Sequence, residues 1–147
     1  MRISALLMAA VMLPLAACAN EEQSAPPAAA STVESLQIIE LVEGEGVEAV
    51  NGRVAVVHYT GWLFEPAGTE SKGAKFDSSV DRGRPFKFPV GGGRVIKGWD
   101  VGVAGMKAGG KRRLIIPADM AYGQRGAGGS IPPGATLVFD VELLDVE

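Results

Sequence analysis

The chain has 147 residues, 47% of them hydrophobic, and a formal net charge of −3. This length suits one domain with a single core, and the lack of a dense basic stripe argues against nucleic-acid binding. One histidine and one cysteine exclude a metal site built from several imidazoles and a disulfide within the chain.

The first residues have the layout of a secretory leader. Arg2 precedes an apolar stretch that ends in the small residues of "LAAC" at 15–18, which predicts a signal peptide over residues 1–17. A membrane-spanning helix needs about 20 apolar residues, and this run is shorter and contains Pro14. We therefore do not expect it to span the membrane.

"LAAC" also resembles the bacterial lipoprotein box, in which the cysteine becomes the lipidated first residue of the mature chain. This makes Cys18 the predicted lipidation site. An ordinary cleavage site at Ala17-Cys18-Ala19, which would discard the cysteine, is the alternative. Ala19 stands where some Gram-negative lipoproteins carry an aspartate, and by that resemblance the predicted location is the periplasmic side of the envelope, on the outer membrane.

The segment after the cysteine has almost nothing to bury. Residues 19–32 read "ANEEQSAPPAAAST", a composition typical of disordered chain. We expect residues 18–32 to consist of the lipidated cysteine and a flexible linker, and residues 33–147 to form the folded domain.

Strand patterns dominate the first half of that domain. "ESLQIIELVEG" at 34–44 and "RVAVVHYTG" at 53–61 are rich in branched apolar residues, and the alternation in the second predicts a strand. Residues 63–75 read as a loop because Pro66 and two glycines interrupt them. Shorter extended pieces follow around Phe76-Asp77 and at "PFKF", 85–88.

One helix and two strands are predicted in the second half. In "GGGRVIKGWDVGVAGM", 91–106, Ile96, Trp99, Val103 and Met106 fall at helical spacing. "KRRLIIP" at 111–117 and "TLVFDVELL" at 136–144 read as strands, and alternation places Leu137, Phe139, Val141 and Leu143 on one face of the second. Four or five strands around one short helix, without βαβ alternation, indicate an antiparallel α+β domain.

Familiar catalytic groups have little support. His58 lies within a strand pattern, where a surface or hydrogen-bonded histidine is favoured over a catalytic one. The glycines at 91–93 lack a Walker lysine-serine pair, so a tight turn is favoured over an anion site. Seven of the nine aromatic residues instead lie on short extended pieces or on the helix. Core packing explains each alone, but their clustering with Asp77 also suits a concave apolar ligand pocket.

Six motifs carry a family resemblance. "VVHYTG", "KFDSS", "PFKF", "GGGRVIKGWDVGVAGM", "AYG" and "IPPGATLVFDVELL" resemble, in order and nearly in spacing, the FK506-binding proteins (FKBPs), which are peptidyl-prolyl cis-trans isomerases. The likeness covers residues 36–147. It implies a five- or six-stranded antiparallel sheet wrapped around one short helix, with a pocket between them.

The resemblance also implies site residues. Trp99 would form the floor of the pocket, the backbone N–H of Ile96 and the hydroxyl of Tyr122 would donate to substrate carbonyls, and residues 124–130 would overhang the pocket. Arg94 departs from the family's pattern, since many members carry an acidic or polar residue there, and it would add positive charge to the rim with Arg82 and Arg84. By the family's pattern the catalytic residues are Tyr59, Phe76, Asp77, Trp99, Tyr122 and Phe139, and the substrate-binding residues are Arg82, Phe86, Val95, Ile96 and Ile131.

The implied function is rotation of Xaa-Pro bonds during the folding of exported envelope proteins. The aromatic pocket would stabilise the twisted amide without covalent chemistry, metal or cofactor. The implied partners are proline-containing polypeptides and macrolides such as FK506 or rapamycin, and the chain would be a monomer held at the membrane by its lipid. A non-catalytic module that binds proline-containing segments on the same fold is the alternative.

Overall fold

In the computed structural model, residues 33–147 are described. They form one antiparallel sheet of six strands in the order β1-β5-β6-β2-β3, with β4 also paired to β2. The predicted signal peptide, Cys18 and linker lie outside the described residues. The strands are β1 Gln37–Val42, β2 Val54–Phe64, β3 Lys72–Ser78, β4 Phe86–Pro89, β5 Lys111–Ile116 and β6 Leu137–Val146.

The antiparallel α+β prediction is confirmed, and the strand count is six. The prediction of a loop throughout 63–75 is wrong, because β2 continues to Phe64 and β3 begins at Lys72. The ladder extends through the pairs Trp62 with Lys75 and Phe64 with Lys72. The Lys72 ammonium group also lies 4.2 Å from the centre of a Trp62 ring, a cation–π contact that favours this pairing. Only the 3-10 turn Thr69–Ser71 and its flanks separate the two strands.

The single α-helix of the described residues, α1, spans Lys97–Gly102, so the predicted helix over 91–106 is too long. The first residues of the predicted segment form a turn instead, in which the backbone N–H groups of Gly91 and Gly93 donate to the Asp100 carboxylate at 3.1 and 3.0 Å. These amides are bound to a carboxylate of the chain's own helix. The tight-turn interpretation of the three glycines is therefore confirmed.

Glycine lets α1 lie close to β5. A Cβ atom added to Gly98 would stand 2.4 Å from the Ile116 Cγ2 atom, and one added to Gly102 would stand 2.7 Å from Leu114 Cδ2. The helix can therefore bring Trp99 against the sheet, where its side chain is only 4% exposed. Two further 3-10 turns, Ala118–Met120 and Gly123–Arg125, connect β5 to β6.

The core lies between α1 and the concave face of the sheet. Leu137, Phe139, Val141 and Leu143 of β6 are all buried, which confirms the face predicted from alternation. His58 lies on the opposite face of β2, and its Nδ1 atom is 2.9 Å from the Ser79 hydroxyl, as predicted for a hydrogen-bonded strand histidine. No helix within residues 33–147 is long and apolar enough to cross a bilayer.

Candidate active site

A pocket of about 410 Å³ opens on the concave side of the sheet. Its volume lies in the range of small-molecule sites. Strands β2, β3, β4 and β6 contribute to its lining, together with α1, the turn before it, and one residue of the β5–β6 connection. The lining residues are Tyr59, Phe76, Asp77, Phe86, Gly93, Arg94, Val95, Ile96, Trp99, Tyr122 and Phe139.

Trp99 forms the centre of the aromatic surface. Its ring centre lies 4.9 Å from that of Tyr59, 5.3 Å from Phe139 and 6.0 Å from Phe86, all in edge-to-face geometry. Such pairs contribute about 0.5–1.5 kcal/mol each beyond the burial of their area. The rings are therefore held in a fixed concave arrangement before any ligand arrives.

Gly61 makes room for two of these rings. It pairs with Phe139 across β2 and β6, and a Cβ atom there would lie 2.6 Å from the Phe76 Cζ atom and 2.7 Å from the Phe139 Cε1 atom. The two phenyl rings meet edge-to-face at 5.5 Å over this position. The sequence analysis did not select Gly61, although a glycine within a strand of β-branched residues indicates that other atoms approach the backbone closely there.

Tyr59, Asp77 and Arg82 form a hydrogen-bonded cluster beside the rings. The Tyr59 hydroxyl donates to Asp77 Oδ2 at 2.5 Å, Arg82 Nη1 donates to Asp77 Oδ1, and Arg82 Nη2 donates to the Tyr59 oxygen at 3.0 Å. Both carboxylate oxygens are thus engaged, and the carboxylate fixes the orientation of the Tyr59 ring.

The cluster changes the acidity of its members. Burial raises the pKa of Asp77, but the hydrogen bonds from Tyr59 and Arg82 and the charge of Arg82 together lower it by a larger amount. The pKa therefore lies below its usual value. Burial and then the hydrogen bond to Asp77 raise the pKa of Tyr59. At neutral pH the carboxyl group is therefore ionised and the phenol is protonated.

Several hydrogen-bond donors at the pocket lack an acceptor within residues 33–147, and the buried Trp99 Nε1 is one of them. The Ile96 N–H has no acceptor in this part of the chain, and neither has the Tyr122 hydroxyl. Burial and then the nearby Asp77 charge raise the pKa of Tyr122, so its hydroxyl carries a proton at neutral pH. The arrangement can accept an apolar ring over Trp99 and offer hydrogen bonds to carbonyl oxygens.

Comparison with known proteins assigns the family. The model of the FKBP-type peptidyl-prolyl cis-trans isomerase family matches residues 45–144. The chain belongs to this family. It is 59% identical over 112 residues to an FK506-binding protein of Neisseria meningitidis, covering 76% of this chain and 96% of that one. It is 56% identical over 101 residues to the peptidyl-prolyl cis-trans isomerase FPR2 of Saccharomyces cerevisiae, covering 69% of this chain and 70% of that one.

Solved structures agree with the fold. The crystal structure of AtFKBP13 matches with a TM-score of 0.67 and 41% identity, covering 79% of this chain and 96% of that one. The crystal structure of FkpA from Escherichia coli matches with a TM-score of 0.65 and 42% identity, covering 77% of this chain but 48% of that one. This FKBP domain therefore has the architecture that its sequence resemblance implied.

Most residues that the FKBP resemblance implied lie together in the pocket. Of the eleven, Arg82 and Ile131 are not among the lining residues. Arg82 contacts the site through Asp77 and Tyr59. Ile131 is 6% exposed and exchanges two backbone hydrogen bonds with Ala127, at 3.0 and 3.1 Å, so it packs at the base of the loop.

The loop over 124–130 also differs from expectation. None of its residues lines the pocket, whereas the resemblance implied that they would overhang it. The Ala127–Ile131 bridge and the hydrogen bond from Gly134 N–H to Gly123 O at 2.8 Å fold the loop onto itself. Tyr122, two residues before this loop, is the only residue of the β5–β6 connection in the lining.

Asp100 is, after Gly61, a second residue that supports the pocket and that the sequence analysis did not select. It lines no part of the pocket, but its carboxylate holds the turn at 91–93 that carries Arg94, Val95 and Ile96 into the lining. A glycine-rich turn followed within one helical turn by an acid is a signal that could have indicated this contact.

Proposed function

We propose that this FKBP-family chain accelerates rotation about Xaa-Pro bonds in exported envelope proteins, working at the periplasmic face of a membrane to which Cys18 anchors it. The observation that carries the enzymatic part is the aromatic pocket, at which the Ile96 N–H and the Tyr122 hydroxyl are free to donate. Its substrates are proline-containing polypeptides, and its ligands include macrolides such as FK506, for which its relatives are named.

The reaction suits a site without a nucleophile. Amide resonance sets a rotation barrier of about 18–20 kcal/mol, and no bond breaks during rotation. Twisting the amide removes its resonance and reduces its charge separation, so an apolar pocket that excludes water binds the twisted form better than the planar one. Differential binding of that form lowers the barrier.

Each part of the pocket has a role in this mechanism. Trp99 supports the proline ring, and Tyr59, Phe86 and Phe139 enclose it. Ile96 N–H and Tyr122 hydroxyl donate to carbonyl oxygens and hold the chain on either side of the rotating bond. Asp77 and Arg82 keep Tyr59 in place and supply the charged edge of an otherwise apolar site.

The direct test is a protease-free measurement of cis-to-trans relaxation of a Xaa-Pro peptide by the purified full-length chain in mild detergent. At 10 °C the uncatalysed reaction takes minutes, so acceleration is readily resolved, and its suppression by FK506 would assign it to the pocket. No acceleration would overturn the enzyme proposal. Peptide or rapamycin binding without acceleration would instead support a non-catalytic binding module.

The location rests on the "LAAC" motif at 15–18 and is tested separately. Growth with labelled palmitate should label the wild-type chain and leave Cys18→Ser unlabelled, and fractionation should move that variant from the membrane to the soluble envelope fraction. Ala19→Ser is the matched control, since it alters the same region but keeps the cysteine. Retention of Cys18→Ser in the membrane fraction would overturn the lipid anchor.

A further inference from the structure

The charges at the pocket are unequally compensated. Its lining contains two charged side chains, Asp77 and Arg94. Arg82 and the Tyr59 hydroxyl engage both oxygens of Asp77, so the negative charge is offset within the site. Asp77 therefore offers an approaching ligand little net charge.

Arg94 has no such compensation within residues 33–147. It is exposed and forms no ion pair or side-chain hydrogen bond there, whereas Arg82, Arg112 and Arg113 all do. The uncompensated charge at the mouth of the pocket is thus positive. An exposed cation could be a solvated surface group, but this one lies in the wall of a ligand site.

The turn places Arg94 close to the substrate's path. The N–H of the preceding residue, Gly93, donates to Asp100 at 3.0 Å. Ile96, whose N–H is a proposed substrate donor, follows Arg94 by two residues. An extended peptide advances about 3.3 Å per residue. The flexible Arg94 side chain can therefore reach the residues next to a proline bound over Trp99.

We infer that Arg94 makes this site selective for segments that carry a carboxylate side chain next to the proline. The substrate class is Glu or Asp adjacent to Pro, and this inference rests on the proposed isomerase function. A partly exposed ion pair contributes modestly, so we expect kcat/KM to be about two- to five-fold higher for Glu than for Gln at that position. The Debye length falls from about 10 Å at 0.1 M salt to about 3 Å at 1 M, and the preference should shrink accordingly.

The test uses two peptide series on the full-length chain, one with Glu, Gln or Lys directly before proline and one with the same residues directly after it. The readout is the Glu/Gln ratio of kcat/KM within each variant, so any general loss of activity cancels. Arg94→Gln should bring the ratio close to one, and Arg94→Glu should make the Lys peptide the better substrate. Arg53→Gln is the charge-matched control, since Arg53 is exposed, outside the pocket lining and free of ion pairs within residues 33–147.

The outcomes separate this inference from the proposed function. No acceleration of the Gln peptides would overturn the isomerase proposal itself. Acceleration of the Gln peptides with a Glu/Gln ratio near one in both series would overturn only the role of Arg94. A ratio above one that Arg94→Gln leaves unchanged, or that Arg53→Gln lowers equally, would also overturn it.

Discussion

Two neighbouring residues of β6 face opposite sides of the sheet and show how differently the two sides are built. Phe139 packs edge-to-face against Trp99 at 5.3 Å on the concave side. Asp140, on the outer side, receives two hydrogen bonds from Arg113 at 2.7 and 2.9 Å and one from Lys72 at 2.8 Å. Glu70 adds ion pairs to the same two cations.

The charged groups around Asp140 on the outer side are paired with one another, whereas several polar groups at the pocket have no hydrogen-bond partner in the described chain. Asp140 and its cations are only 11–20% exposed, so their mutual pairing avoids the cost of buried unpaired charge. At the pocket, Ile96 N–H and Tyr122 hydroxyl lack acceptors in the described chain, and Phe86 and Tyr122 remain 37% and 40% exposed. The paired charges on the outer side stabilise the fold, whereas the pocket leaves hydrogen-bond donors and aromatic surface available to a ligand.

Truncation of the pocket floor should have the largest effect. Trp99→Ala removes the ring that contacts Tyr59, Phe86, Phe88 and Phe139. We expect about 3–5 kcal/mol loss in the free energy of unfolding, measured by urea denaturation, together with loss of isomerase activity in the protein that remains folded. A folded Trp99→Ala variant with wild-type kcat/KM would contradict the assignment of the pocket.

Removal of the outer carboxylate should reduce stability without reducing activity. Asp140→Ala removes the less exposed of the two carboxylates that Arg113 and Lys72 share and leaves them only Glu70. Hydrogen bonds to charged groups contribute about 1.5–3 kcal/mol. We expect the free energy of unfolding to fall by about that amount, while kcat/KM of the folded variant stays at the wild-type value. An activity loss as large as that of Trp99→Ala would break the functional separation of the two sides.

Asp140 should also contribute to acid sensitivity. Burial raises its pKa, but hydrogen bonds and charges from Arg113 and Lys72 lower it further, so the folded pKa lies below its usual value. Its stabilisation is therefore complete above the unfolded pKa of about 3.9 and is lost as pH falls through the folded pKa. The free energy of unfolding should decline less steeply below about pH 4 in Asp140→Asn than in the wild type.

Asp77 is expected to affect catalysis more than stability. Asp77→Ala frees Tyr59 and Arg82 from their shared acceptor at the pocket edge, where solvent can replace it. We expect about a tenfold lower kcat/KM, equivalent to about 1.4 kcal/mol and close to the lower limit for one hydrogen bond to a charged group. The change in unfolding midpoint should be smaller than the change that Asp140→Ala causes. Unchanged kcat/KM across several Xaa-Pro peptides would remove Asp77 from the site.

The sequence predicts best the strands that show a regular alternation of apolar and polar residues. Alternation in β2 and β6 identified the strands and the buried face of β6, because side chains of a strand point alternately to the two faces. The aromatic residues of the pocket could be named because a motif fixes their spacing. Their assembly into one lining follows from the ladder that pairs Gly61 with Phe139.

The contacts that sequence could not predict join residues distant in the chain or compete with local preference. The predicted helix over 91–106 is too long because hydrophobic periodicity does not reveal the hydrogen bonds from the Gly91 and Gly93 N–H groups to Asp100. The start of β3 at Lys72 depends on pairing with Phe64 and on the contact with Trp62. The family pattern predicts Ile131 as a substrate-binding residue, yet its bridge to Ala127 places it against the core.

The smallest change that tests the contrast between the pocket and the outer side is removal of the Tyr122 hydroxyl. Tyr122→Phe keeps the ring in the lining and deletes a hydroxyl that is bonded to no group in residues 33–147, so stability should change by less than about 0.5 kcal/mol. Loss of a donor to substrate should lower kcat/KM about two- to tenfold, the range of one net hydrogen bond. Tyr59→Phe is the matched variant, because its hydroxyl is bonded to Asp77 and Arg82; it should lose stability as well as activity. If Tyr122→Phe instead lowered stability and spared activity, its hydroxyl would serve the fold, and the pocket would resemble the outer side of the sheet.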